Sequence, residues 1–103
     1  MNIEQQIEIA ETIKDQLGGS TFCIMTGSKN FIALESGLSF KVGRNPRGIN
    51  RISIYYDLAS DHYNMEFGRV RGVNYKVISK AGAIYCDQLR DAFTSHTELY
   101  TSL

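Results

Sequence analysis

The chain has 103 residues, 43% of them hydrophobic, with eleven acidic and eleven basic side chains. This length and composition predict a single domain over residues 1–103 with one core. The chain has no run of about 18 apolar residues to span a membrane, and it begins without the basic start and apolar stretch of a secretion signal, so we expect a cytoplasmic protein.

The zero net charge divides into acidic ends and a basic middle. Residues 1–20 carry a net charge of −3 and residues 81–103 one of −2, whereas residues 21–80 carry nine Lys or Arg against four acids, a net +5. If the ends form helices and the middle forms a sheet, the folded domain has a dipolar surface. Such a surface bears on the choice of partners.

Cysteine and histidine are few and dispersed. Cys23 and Cys86 lie far apart, which favours reduced thiols over a disulfide in a cytosolic chain. His62 and His96 are the only histidines, and neither C-x-x-C nor H-x-x-x-H spacing occurs. We predict neither a metal nor another cofactor.

The first element is predicted to be an amphipathic helix from Ile3 to Leu17, because its apolar residues recur on one side at a helical period. Asn2 can cap this helix, and Gln5 can complete a capping box. Gly18-Gly19 is predicted to end it, since glycine adopts the left-handed conformation freely.

Three strands are predicted next, at residues 21–26, 31–34 and 38–42, from their β-branched and apolar residues or their alternation. Residues 26–30 combine Gly, Ser and Lys as a phosphate loop does. The Walker spacing is missing, however, and a polar turn is favoured over a nucleotide site.

Residues 43–50 contain the only proline, Pro46, and two glycines, which predicts a loop closing a hairpin. Arg44, Arg47 and Arg51 stand in or beside this loop. These arginines could serve solubility alone, or they could offer mobile cations to phosphate or carboxylate groups.

Residues 51–79 alternate polar and apolar side chains through three segments, which predicts an antiparallel meander. Gly68 is predicted to be a bulge, because the alternation slips there. The side chains expected to face the core are Ile52, Ile54, Tyr56, Tyr63, Met65, Phe67, Val73, Tyr75 and Val77. The opposite face is expected to collect Lys41, Arg51, Tyr55, Asn64 and Lys76, with Arg69 and Arg71 close by.

A second amphipathic helix is predicted from about residue 83 to about residue 96, with His96 at the edge of the core. The tail is expected to pack onto the domain through Leu99, Tyr100 and Leu103. The predicted fold class is α+β: a twisted antiparallel sheet of four to five strands with N- and C-terminal helices packed on one face, in the order α-β-β-β-β-β-α.

Four segments resemble a family of small phage and mobile-element proteins: TGSKNF at 26–31, GLSFK at 37–41, EFGRVRG at 66–72 and LYTSL at 99–103. The resemblance covers most of the chain. The family has no established activity, so the resemblance implies an origin in a phage or mobile element and carries over no catalytic residue. Small proteins of that origin often bind nucleic acid or disable a host system, which favours a binding module in the host-cell cytosol.

The best candidates for catalysis are Asp57, Asp61, Glu66 and His62. Asp57 and Asp61 flank a turn, however, where aspartate is expected for local hydrogen bonding alone. We predict that the protein is not an enzyme.

Two binding functions remain open. Single-stranded nucleic acid could bind the basic face of the sheet, with Tyr55 stacking on a base and cations contacting phosphates. Alternatively, the same cations could engage a host or phage protein, as in an inhibitor of a host defence complex of the anti-CRISPR or another anti-defence type. A sheet edge could also pair two copies into a homodimer. The candidate binding residues are Lys41, Arg44, Arg47, Arg51, Tyr55, Arg69, Arg71 and Lys76.

Overall fold

The computed structural model describes residues 2–101. The elements in chain order are α1 (Ile3–Leu17), α2 (Gly19–Thr26), β1 (Lys29–Leu34), β2 (Gly37–Lys41), β3 (Arg51–Asp57), β4 (His62–Arg71), β5 (Asn74–Ile84), a 3-10 turn (Cys86–Gln88) and α3 (Leu89–Thr97). The strands form one antiparallel sheet in the order β1-β2-β3-β4-β5. This architecture confirms the predicted α+β fold. Within residues 2–101, no helix is long and apolar enough to cross a membrane.

Helix α1 has the predicted bounds and caps. The Asn2 side chain accepts a hydrogen bond from the Gln5 N–H at 2.8 Å, and the Gln5 side chain accepts one from the Asn2 N–H at 3.1 Å. Gly18 ends the helix with a φ of +124°, a conformation that suits glycine. The buried side of α1 contributes three side chains to the core: Ala10, Ile13 and Leu17.

The segment 21–26 was predicted to be a strand, and this prediction is wrong because the segment forms α2. Phe22 is fully buried, and its ring meets two other core phenylalanines edge-on at centroid distances of 5.7 and 4.9 Å. The Thr26 hydroxyl donates to the Phe22 carbonyl oxygen at 2.7 Å, a bond that requires helical spacing. Packing of Phe22 therefore overrides the β propensity of the segment.

The core lies between the three helices and one face of the sheet. The side chains of β3 and β4 that were predicted to face the core do so, and Tyr56 is the one that is only partly buried. The fully buried large side chains include Leu17, Phe22, Phe40, Ile49, Ile52, Ile54, Met65, Phe67, Leu89 and Phe93. In the described part of the chain, no helix packs on the other face of the sheet.

The prediction for β5 is wrong in one respect. Three side chains expected in the core are exposed: Val73, Tyr75 and Val77. The register is irregular at Gly68, as predicted, but the extra residue lies on β5. Phe67 pairs with Ser79 and Gly68 pairs with Val77, so Ile78 has no partner on β4. An extra residue reverses the faces of the strand segment beyond it, so the alternation of β5 before Ile78 is inverted.

The second predicted helix begins later than expected. Strand β5 continues to Ile84, which pairs with Tyr63, and Ala83 has a left-handed φ of +55° that interrupts any helix. In the tail, Leu99 packs against the core as predicted, whereas Tyr100 is 70% exposed. The predicted contact of Leu103 lies outside the described residues.

His96 lies between α3 and the sheet. Its ring stacks on Phe67 at a centroid distance of 4.5 Å, and its Nδ1 lies 2.9 Å from the Ser79 hydroxyl oxygen. Burial, and secondly the positive charge of Arg47, lowers the pKa of His96 below its ordinary value.

Substitutions in α2 distinguish this helix from the strand predicted for the same segment. In a strand, Phe22 and Ile24 would share one face, whereas here Phe22 is fully buried and Ile24 is 82% exposed. We expect Phe22→Ala to lower the free energy of unfolding by about 3–5 kcal/mol. Ile24→Ala should change it by less than about 0.5 kcal/mol. Urea unfolding of both variants measures this difference, and similar losses would contradict the helix.

The depressed pKa of His96 predicts a loss of stability on acidification. The unfolded chain takes up the proton more readily than the folded chain, so this contribution is complete above the ordinary histidine pKa of about 6.5. It is lost as the pH falls through the lower folded-state value. His96→Gln keeps a partner for Ser79 and cannot titrate. Urea titrations at about pH 7 and about pH 5 should show a smaller loss in this variant than in the wild type, and equal losses would refute this role.

Candidate functional site

The antiparallel register gathers the predicted cations at one end of the sheet, called here the basic end. Lys29, Lys41 and Arg51 are paired in a row across β1, β2 and β3, and the row continues to Gly68 on β4. The loop 42–50 and the β4–β5 turn also lie at this end. The predicted residues in it are Lys41, Arg44, Arg47, Arg51, Arg69, Arg71 and Lys76.

These residues are divided between the two faces of the sheet. Lys41 and Arg51 point away from the helices, onto what we call the uncovered face, and Tyr55 shares this face farther along β3. Arg69 is paired with Lys76. Their neighbours along each strand lie on the uncovered face, so Arg69 and Lys76 point to the helix side. Lys76 was predicted on the uncovered face, and this is wrong because the extra residue Ile78 reverses its direction. Arg71 lies on the same side as Arg69.

Tyr75 takes the place on the uncovered face that was predicted for Lys76. Its ring lies over Gly68, where an added Cβ would come to 2.5 Å from two ring atoms and the hydroxyl oxygen. Its hydroxyl donates to Glu66 Oε2 at 2.9 Å. Because 43% of Tyr75 remains exposed, the ring offers an open surface to a ligand.

The reasoning from sequence missed Tyr75, although the signal was present. A glycine inside a strand and a slip in the alternation both indicated a bulge at Gly68. If the extra residue of this bulge is placed on the partner strand β5, Tyr75 falls on the uncovered face. A ring over a strand glycine is a known way for a sheet to fill the space that the glycine leaves.

Hydrogen bonds hold the polar groups around Tyr75 against the sheet. Burial, followed by the hydrogen bond to Glu66, raises the pKa of Tyr75 to about 12, and the positive charge of Arg51 acts in the opposite direction. The Arg51 Nη1 donates to the Ser39 hydroxyl oxygen at 2.9 Å. Tyr75 is therefore a neutral hydrogen-bond donor at physiological pH, close to the guanidinium of Arg51.

Among residues 2–101, the cations of the basic end have no carboxylate partners. Over residues 2–101, the ion pair that forms joins Lys80 to Glu66 at 3.8 Å, and none of the seven predicted cations takes part in one. Their charges are therefore available to an external anion. The chain as a whole has a net charge of zero, whereas this end of the sheet is positively charged.

The candidate catalytic carboxylates are engaged in local contacts. The Tyr56 hydroxyl donates to Asp61 Oδ1 at 2.6 Å, and the Ala59 N–H donates to Asp57 Oδ1 at 3.1 Å. Such bonds are expected of aspartates at a turn. In the described part of the chain, no three His, Cys, Asp or Glu side chains group together to hold a metal ion.

No protein-family model matches this chain, and no curated protein or solved structure matches it either. The uncovered face and the basic end are therefore the features that bear on function.

Glu66→Gln should lower the pKa of Tyr75 from its value of about 12, because the substitution removes the negative charge that stabilises the protonated hydroxyl. Carbon-13 NMR of the labelled tyrosine Cζ atoms as a function of pH measures this change. Glu35→Gln, at the opposite end of β2 from the basic end, is the matched control and should leave Tyr75 unchanged. An unaltered titration of Tyr75 in Glu66→Gln would contradict the assigned contact.

Proposed function

We propose that this protein is a non-enzymatic binding module of a phage or mobile element, and that it binds single-stranded nucleic acid on the uncovered face. The observation that carries the proposal is the ring of Tyr75, which lies over Gly68 within the electrostatic influence of Arg51. Base stacking needs an aromatic face open to solvent, and phosphates need cations that are free of carboxylate partners. The uncovered face combines the two.

Tyr55 provides a second aromatic contact. It is 44% exposed and lies four residues along β3 from Arg51, on the side away from the basic end. Because strands advance about 3.3 Å per residue, Tyr55 and Arg51 are about 13 Å apart along the sheet. A single strand crossing the face could thus stack a base on each tyrosine and place a phosphate near Arg51.

The remaining cations would extend the contact around the end of the sheet. Arg44 and Arg47 lie on the loop 42–50, while Arg69, Arg71 and Lys76 lie on the helix side of the β4–β5 hairpin. These side chains are exposed, so they could follow the sugar-phosphate backbone beyond the stacked bases. Contacts of this kind add affinity without sequence preference.

A labelled oligothymidine titrated into the protein, with fluorescence anisotropy as the readout, tests the proposal. We expect binding at about 50 mM salt and a steep loss by about 200 mM. Tyr75→Ala, Tyr55→Ala and Arg51→Ala should each weaken binding about 5- to 100-fold, the range expected for stacking of about 1–3 kcal/mol per base.

The matched controls for this experiment are Tyr100→Ala and Arg90→Ala, which remove an exposed tyrosine and an exposed arginine near the C-terminus. Both should bind like the wild type. Absence of binding at low salt, or equal losses in the control variants, would sink the proposal.

A second function, inhibition of a host defence complex through a protein contact, is favoured by the apolar side chains on the uncovered face. Ile32, Val70 and Val77 are 50%, 38% and 41% exposed there. Apolar and aromatic residues beside arginine are typical of protein interfaces. Capture of one host protein by the wild type and by Tyr100→Ala, but not by Tyr75→Ala, would favour this alternative if no oligonucleotide binds.

We also propose that the protein acts in the cytosol of the host cell, where either partner would be met. Pairing of two copies through a sheet edge remains a prediction. Of the two edge strands, β5 has two register irregularities and β1 has one, and such irregularities discourage pairing with another strand. The edge we expect to pair is therefore β1.

A further inference from the structure

A groove of about 690 Å³ opens at the end of the domain opposite the basic end. It runs between α1 and the segment that links β5 to α3, and residues of β3 and β4 also line it. Its volume is typical of a site for a small molecule. None of the residues proposed to bind nucleic acid lines it, so its ligand can be argued independently of the proposed function.

The groove has an acidic lining. Its charged lining residues are Glu8 on α1 and Asp61 in the β3–β4 turn, and no Lys or Arg lines it. Asp61 is held in place by the Tyr56 hydroxyl, which donates to it at 2.6 Å. Two carboxylates without a cationic partner in the lining favour a positively charged ligand.

Three tyrosines complete the lining. The rings of Tyr56 and Tyr63 lie 5.2 Å apart, tilted by 46°, and Tyr85 stands at the rim with 54% of its surface exposed. The ring of His62 meets Tyr85 edge-on at 4.6 Å and fixes its position. Aromatic faces attract cations that lose part of their hydration, and they also pack against apolar groups.

Gln16 and Tyr63 interact in the wall of the groove. Gln16 lines the groove, and its amide Oε1 is buried without a partner among residues 2–101. Buried acceptors are nearly always satisfied in folded proteins. The side chain of Gln16 contacts the Tyr63 hydroxyl, which can donate to the amide oxygen once the amide O and N exchange places, so this acceptor does not itself select the ligand.

We propose that this groove binds a small amphipathic amine in its protonated form. The ammonium group pairs with the carboxylates that line the groove, those of Glu8 and Asp61. The apolar body of the ligand packs against Ile9, Leu58 and the tyrosine rings. The mixture of apolar lining and two carboxylates excludes a free phosphate or a fatty acid from the same site on grounds of charge.

The exposed thiol of Cys86 lines the groove and gives a direct readout of occupancy. The probe is 2-phenylethylamine, and 2-phenylethanol is its neutral counterpart. We expect the amine to slow alkylation of Cys86 by iodoacetamide in a saturable manner below about 10 mM, a weak but specific range of affinity. Mass spectrometry of the peptides follows Cys86 and Cys23 separately, and the rate at Cys23 should not change.

Two conservative substitutions test the carboxylates. Asp61→Asn keeps an acceptor for Tyr56 and suits the left-handed φ of +56° at this position. Glu8 lies on the exposed side of α1, so Glu8→Gln leaves the core unchanged. Each should weaken protection by the amine about tenfold, the equivalent of about 1.4 kcal/mol. Glu11→Gln removes the same charge from α1 outside the groove and should have no effect.

Three results would overturn the proposal. The first is equal protection by the neutral alcohol, which would show that charge is not recognised. The second is an equal loss of protection in Glu11→Gln, which would assign the effect to net charge. The third is the absence of saturable protection below about 10 mM.

Discussion

The three helices all pack on one face of this sheet, and the buried apolar side chains of β2, β3 and β4 point to that face. The side chains of one face must therefore reach the core in phase, and those of the other face must tolerate water. Phe22 from α2 and Phe93 from α3 meet over the inward residues of β2 to β4. Because this apolar centre fixes which face points inward, it also decides which polar side chains collect outside. The uncovered face is thus a consequence of how the core is filled.

The parts of the fold that follow from local chemistry were predicted correctly. Asn2, Gln5 and Gly18 bound α1 through hydrogen bonds and a backbone conformation that involve only neighbouring residues. The inward residues of β3 and β4 follow from strict alternation along each strand. What failed depends on contacts between distant segments: α2 is a helix because Phe22 finds partners far along the chain, and β5 is inverted because Ile78 is skipped in its pairing with β4.

The same distinction applies to the candidate sites. The basic segment of the chain could be recognised by counting charges, and the register of the sheet brings its cations to one end. The face on which Tyr75 lies could not be predicted from the alternation of β5 alone. It depends on Ile78, three positions later, which has no partner on β4. The groove beside α1 was not foreseen, since its lining comes from four separate parts of the chain. Cations gather at one end of the sheet, and two carboxylates line a groove at the other, although one of them, Asp61, belongs to the basic middle of the chain.

The contact between Tyr75 and Gly68 links two positions that are seven residues apart in sequence. Any side chain at position 68 must displace the ring above it, so a larger residue at this position costs the contact with the ring unless position 75 changes as well. In related sequences, the two positions are therefore expected to vary together: glycine with an aromatic residue, or a larger residue with a smaller one. A lineage that lost the ring would be free to lose the glycine, and the pair would record in sequence whether the uncovered face still works as a binding surface.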